Sequence, residues 1–182
     1  MPFGCLRSKR AALVVTDEEA NTSSGKPGQA RIKMKRDLYV PRGEGRKFTF
    51  RADTITIQAS GQDTVDGRSI MHWISGVDGV APNHVHDRYE ETFHVIDGEL
   101  EFTLGDESIM VRSGDFVRVP PGTRHGFRNK SGRPVPMIVT LSPGGFEEFF
   151  YEYRTETGGK ALDGALDDAR TKYGTVYEIP GG

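Results

Sequence analysis

Hydrophobic and polar positions alternate over short runs through the middle of the chain. In "KFTFRADTITIQAS" the apolar repeat falls on Phe48, Phe50, Ile55 and Ile57, and "SIMHWISG", "ETFHVIDGELEFTLGDESIMVR", "DFVRVP", "RHGFRN" and "VPMIVTLS" continue in the same style. A repeat of two over four to eight residues predicts half-buried β-strands. Asp-Gly, Gly-Asp and Pro-Gly pairs interrupt the runs at close intervals, and 23 glycines and 10 prolines supply many turns. The pattern predicts an all-β sandwich or barrel. Within it, "VIDGELEF" predicts a two-residue hairpin, because Asp97-Gly98 tolerates the positive φ angles of such a turn. The period then changes. Phe146, Phe149, Phe150 and Tyr153 fall at i, i+3, i+4 and i+7, with Glu147, Glu148 and Glu152 opposite. That spacing predicts an amphipathic helix covering one end or face of the barrel. "ALDGALDDARTKYG" predicts a second helix and "YEIPGG" an extended tail.

Composition narrows the class. The 182 residues fit one domain with tails, and 35% hydrophobic content supports one core with part of the chain left in solvent. The net charge of −2 is uneven: residues 1–36 sum to +5 and residues 37–182 to −7. These shifts divide the chain into a basic, flexible N-terminal segment (1–36), a β-barrel (37–145) and a C-terminal helical extension (146–182). An acidic body argues against a nucleic-acid groove. Cys5 is the only cysteine, which excludes an intrachain disulfide and a thiolate metal site. No apolar run approaches the roughly 18 residues of a membrane span, and "AALVV" is too short for a signal-peptide core. A cytoplasmic protein is expected.

The candidate chemistry lies in "PNHVHDRYEETFHVIDGELEF". Strand side chains alternate, so His84 and His86 share a face and two imidazoles can reach one ion. After the short loop "DRYE", Glu91 opens a strand that carries Phe93 and Val95 on the same face, while His94 points the other way. Downstream, His125 opens another strand, with Phe127 and Asn129 on its face. If that strand runs antiparallel beside the first pair, His125 supplies a third nitrogen. Three imidazoles and one carboxylate suit a divalent Fe, Mn, Ni, Co, Cu or Zn ion and leave room for substrate. His72 and Trp73 precede the cluster on a strand whose inward face the pattern leaves open, and Tyr89 stands beside Glu91.

Two segments resemble the motifs of the cupin superfamily. His84, His86, Glu91 and Gly98 match the first motif, although Gly79 precedes His84 by four residues where the motif has five. Gly114, Pro120, Gly122, His125 and Asn129 match the second. "TITIQASGQDT", "SPGGFEEFF" and "ARTKYGTVYEIPGG" extend the likeness over roughly residues 43–182, to small single-domain cupins that resemble quercetin 2,3-dioxygenase-like proteins. The resemblance implies a single-domain jelly-roll β-barrel with C-terminal α-helices, usually a homodimer. It implies one divalent transition metal held by His84, His86, Glu91 and His125, with Glu91 also catalytic, and Asn129 as a structural or pocket position. The implied activity is a dioxygenase consuming O2 and an enol or hydroxy-ketone aromatic small molecule, flavonol- or polyketide-like. Its candidate pocket residues are His72, Trp73, Tyr89, Phe93, Phe127 and Asn129. The alternatives are a non-oxidative cyclase, isomerase or dehydratase of a polyketide-like substrate, and a non-catalytic cupin that binds a small ligand.

Overall fold

The computed structural model describes residues 38–156, 159–160 and 164–178. The expected N-terminal segment 1–36 and Cys5 lie outside these residues, as does the end of the "YEIPGG" tail. The elements in chain order are β1 (Arg46–Phe50), β2 (Asp53–Ala59), β3 (Ser69–Ser75), β4 (Val80–His86), β5 (Glu90–Val95), β6 (Glu99–Leu104) and β7 (Glu107–Arg112). Then come β8 (Phe116–Val119), β9 (His125–Arg128), β10 (Val135–Ser142), α1 (Glu147–Glu152), α2 (Ala165–Thr171) and β11 (Thr175–Tyr177).

The strands form a six-stranded sheet, in the order β1-β2-β3-β10-β5-β8, and a five-stranded sheet, β11-β4-β9-β6-β7. Every pairing is antiparallel. This is a β jelly roll. The alternation legible in the sequence does the sorting. In β3 and β10 every second residue is buried, so Met71, Trp73, Val135, Met137, Val139 and Leu141 face inward. They meet Leu100, Phe102 and Phe127 of the other sheet in one apolar core. Among the described residues no helix is long and apolar enough to cross a membrane.

Three local expectations change. Asp97-Gly98 makes no hairpin: β5 pairs with β10 and β8, whereas β6 pairs with β7 and β9. The turn carries the chain from one sheet to the other, with Gly98 at φ +92° and Asp97 tied to Arg133 by an ion pair of 2.7 Å. Turn chemistry alone cannot distinguish a hairpin from a sheet switch. Two-residue hairpins lie instead at Arg51-Ala52, where Phe50 pairs with Asp53, and at Gly105-Asp106, where Leu104 pairs with Glu107. Second, α1 buries Phe149 and Phe150 as its spacing predicts, but Glu147 is buried as well, accepting hydrogen bonds from the amides of Gly61 and Gly145. Third, the C-terminal stretch is not simply a tail, because β11 joins the five-stranded sheet beside β4.

Asp53 anchors the start of β2. Its carboxylate accepts from the Trp73 indole at 2.9 Å and from the Gly76 amide at 3.0 Å. Replacing Asp53 with Ala leaves the buried indole N–H without its partner, a loss of about 1–3 kcal/mol. Thermal denaturation of Asp53→Ala should fall by roughly 2–4 °C per kcal/mol lost. In the Trp73→Phe background, where the indole is gone, the drop should be smaller.

Candidate metal centre

Strand alternation and register assemble the centre at one end of the barrel. His84 and His86 end β4, both buried, with Val85 turned to the other side. His125 opens β9 directly opposite His84 in the β4–β9 ladder. Glu91 comes from the facing sheet, on β5, paired with Leu141 and Val119 on either side. The four side chains each offer a donor atom, and these atoms all lie within 4.8 Å of one another. None of the four is more than 5% exposed.

The imidazoles converge through their Nε2 atoms. His84 Nε2 is 3.2 Å from His86 Nε2, and Glu91 Oε2 is 3.2 Å from His86 Nε2 and 2.9 Å from His125 Nε2. The Nδ1 atoms face outward to fixed partners: His84 to the Pro82 carbonyl at 2.8 Å, His125 to the Thr123 carbonyl at 2.9 Å, and His86 to Thr175 Oγ1 at 2.7 Å. A carbonyl can only accept, so Nδ1 of His84 and of His125 carries the hydrogen. Neutral imidazoles in that tautomer present bare Nε2 lone pairs to each other and to a carboxylate. Such an arrangement requires positive charge at its middle. Extra protons are a poor source, since burial and the neighbouring imidazoles of His125 and His86 push the His84 pKa down to about 3. Burial pushes the Glu91 carboxyl upward, but the His125 and His86 imidazoles against it outweigh this and hold Glu91 below the usual carboxylate range. Three nitrogens, one carboxylate oxygen and oriented outer partners fit a divalent transition metal.

Rings enclose the cluster. Phe146 packs edge-on against His86 at 4.7 Å between centroids, Tyr89 lies 5.6 Å from His86, and Phe93 lies 6.3 Å from His125. Tyr177 lies 4.9 Å from His84, tilted by only 30°. A surface cleft of about 680 Å³ runs along β2 and the start of α1, and none of the four ligand residues lines it.

The other candidate residues separate clearly. Trp73 and Phe127 face inward and meet edge-on at 6.0 Å in the core, and Phe127 touches Phe93, the neighbour of His125. His72 is a correction: with Trp73 inward, alternation turns it to the opposite face of β3, where it is half-buried beside Thr56 and Ile138. Asn129 is buried, but its amide nitrogen donates to the carbonyls of Ser75, Gly76 and Arg133 at 2.8–3.1 Å, bracing loops rather than facing the centre. His94 is exposed. Sequence reasoning missed Thr175 and Tyr177; a three-residue strand beyond a helix offers too short a run for alternation to register.

Metal content per chain, by elemental analysis, should drop from about one to near zero in His125→Ala and stay unchanged in Asn129→Ala, which instead costs about 1–3 kcal/mol of stability. A second prediction concerns pH. The folded pKa of His84 lies far below the ordinary histidine value of about 6.5, so between those values the unfolded chain binds a proton that the folded chain refuses. Metal-free protein should therefore lose stability as pH falls below about 6.5, and Glu91 adds to the loss only as acid nears its own unfolded value. Melting temperatures of the metal-free protein from pH 7.5 to 4 check this; a flat profile contradicts it.

Residues 71–145 match the family profile of the cupin domain. The chain is 36% identical over 109 residues to quercetin 2,3-dioxygenase of Bacillus subtilis (strain 168), a match covering 60% of this chain and 32% of that protein. It is 35% identical over 60 residues to polyketide synthase CurC of Streptomyces cyaneus, covering 33% of this chain and 39% of that one. The matches thus span about a third of each relative's length. Among solved structures, KdgF from Halomonas sp. superposes with a TM-score of 0.54 at 18% identity, over 63% of this chain and 99% of that one. An RmlC-like cupin from Shewanella frigidimarina does so at 0.53 and 16%, over 63% and 99%. With two antiparallel sheets and a buried histidine and glutamate cluster between them, the chain has the fold of the cupin structures it superposes on, its residues 71–145 match the cupin domain, and in sequence it resembles quercetin 2,3-dioxygenase.

Proposed function

We propose that this chain is a metal-dependent dioxygenase acting on a flat enol or hydroxy-ketone aromatic. The observation that carries the reading is the buried His84, His86, Glu91 and His125 cluster inside a cage of aromatic rings. When bound by those four residues, a divalent metal supplies a Lewis acid that acidifies the substrate's hydroxyl and makes charge available to O2. The protein's own groups do the rest. Glu91 Oε2 stands between His86 and His125, within reach of a hydroxyl brought to the centre, and takes its proton. The carbonyls of Pro82 and Thr123 hold His84 and His125 in the tautomer that aims Nε2 inward. Phe146, Tyr89 and Phe93 exclude water and favour a planar, apolar ligand. The likeness to Bacillus quercetin 2,3-dioxygenase supports the same substrate class.

A second reading keeps the metal and the base but consumes no oxygen, closing or isomerising a polyketide-like ring. The likeness to polyketide synthase CurC favours it. Oxygen uptake by metal-loaded protein separates the two. The dioxygenase should consume about one O2 per flavonol or 1,3-diketone lost. Cyclised product with no uptake sinks that reading in favour of the second, and tight ligand binding by metal-free protein without turnover favours a binding protein. Glu91→Gln keeps the shape and removes the base; turnover should fall by roughly 10²-fold or more, measured per bound metal.

A further inference from the structure

The ligand cluster is sealed, so a substrate needs a door. The cluster's inner wall is built from central elements: β5 lies between β10 and β8, β9 lies between β4 and β6, and Phe146 and Phe149 are core residues. β11 differs. Among the described residues it is an edge strand of three residues, paired with β4 alone. Its register puts Thr175 opposite His86 and Tyr177 opposite His84. β11 therefore touches two ligands at once, through the Thr175 hydroxyl on His86 Nδ1 and the Tyr177 ring beside His84. Tyr177 also continues a row of rings: Phe146 stacks on Phe149 at 5.1 Å and 6°, and Phe149 on Tyr177 at 6.3 Å and 30°.

Beyond the buried contacts of Thr175, Tyr177 and the neighbouring Tyr173, the segment is held by polar contacts near the surface. Backbone bonds run from Asp87 to Gly174 and from Glu178 to Asn83. Arg88 grips the carbonyls of Lys172 and Tyr173. Arg124 and Glu178 form a two-pronged ion pair just past the strand, with side chains 33% and 49% exposed. Exposed pairs of this kind are individually weak. A short edge strand with a surface latch opens far more readily than a core strand.

We propose that β11 is the substrate-facing wall of the metal site, that a flat substrate stacks on Tyr177, and that it enters when β11 peels from β4. The stacking partner rests on the substrate class proposed above; the entry route does not. Because Thr175 holds the outer nitrogen of His86, displacing the wall also loosens a ligand, so opening and metal exchange are coupled.

The entry route is tested with the metal alone, using EDTA as the probe. Val85 and Val176 are direct partners, an arrangement with Cα atoms about 5.5 Å apart when the pair is hydrogen-bonded, and within disulfide reach. In a Cys5→Ser background, the oxidised Val85→Cys/Val176→Cys protein should release metal to EDTA at least tenfold more slowly, and reductant should restore the rate. Glu178→Gln should release it several-fold faster while still binding about one metal per chain. Rates insensitive to both the cross-link and the latch overturn the route. For the stacking role, Tyr177→Ala should raise the Kd of metal-loaded protein for a flavonol about tenfold, while Tyr177→Phe stays within about twofold. An unchanged Kd in Tyr177→Ala overturns it. Wild-type protein that binds no flavonol overturns both the proposed substrate class and the stacking role, and the EDTA rates still decide the entry route.

Discussion

A carboxylate and the inward imidazole lone pairs of His84 and His125, held together inside an apolar barrel, repel unless a cation sits among them. That constraint organises the whole end of the molecule. It explains why the outer nitrogens of His84 and His125 meet backbone carbonyls, which settle where the protons are. It also explains why ligands come from both sheets: β4 and β9 bring the imidazoles and β5 brings the carboxylate across the core. Such a cluster would be an electrostatic liability in a solvent-free interior without an ion. The jelly roll tolerates it because strands on both sides are anchored by large apolar side chains such as Met137, Leu141 and Phe102.

Much of this was legible in the chain. Alternation fixed which residues of "HVH" point inward, and the same rule placed Glu91, Phe93 and Val95 on one face. It also set His94 outside. Where the pattern was symmetrical, it fell silent. "SIMHWIS" has apolar residues on both faces, so only the neighbours of β3 in the folded sheet determine that Trp73 goes in and His72 goes out. Asp97-Gly98 was ambiguous for another reason. A local turn preference says how the chain bends, while the partner of the next strand depends on distant residues. Glu147 looked like a solvent-facing helix residue until two loop amides were found at its carboxylate.

The aromatic cage has two origins. Phe93 and Phe127 belong to the barrel strands. Phe146, Phe149 and Tyr177 come from the segment after residue 145, where the match to the cupin profile ends. The barrel supplies the donor atoms, and the C-terminal segment supplies much of the surface that a ligand would meet. Chains sharing the barrel can therefore differ in chemistry through their C-terminal segments.

The pairing of His84 with His125 across the β4–β9 ladder sits just beyond an irregularity, where the register shifts between Ala81 and His84. Side-chain direction in a strand reverses with every residue. Three steps on β4 here match two on β9, so the irregularity absorbs one extra residue and restores to the inner face the two β4 imidazoles that unbroken alternation from Ala81 would turn outward. The centre therefore depends on the spacing within this strand as much as on which residues stand in it.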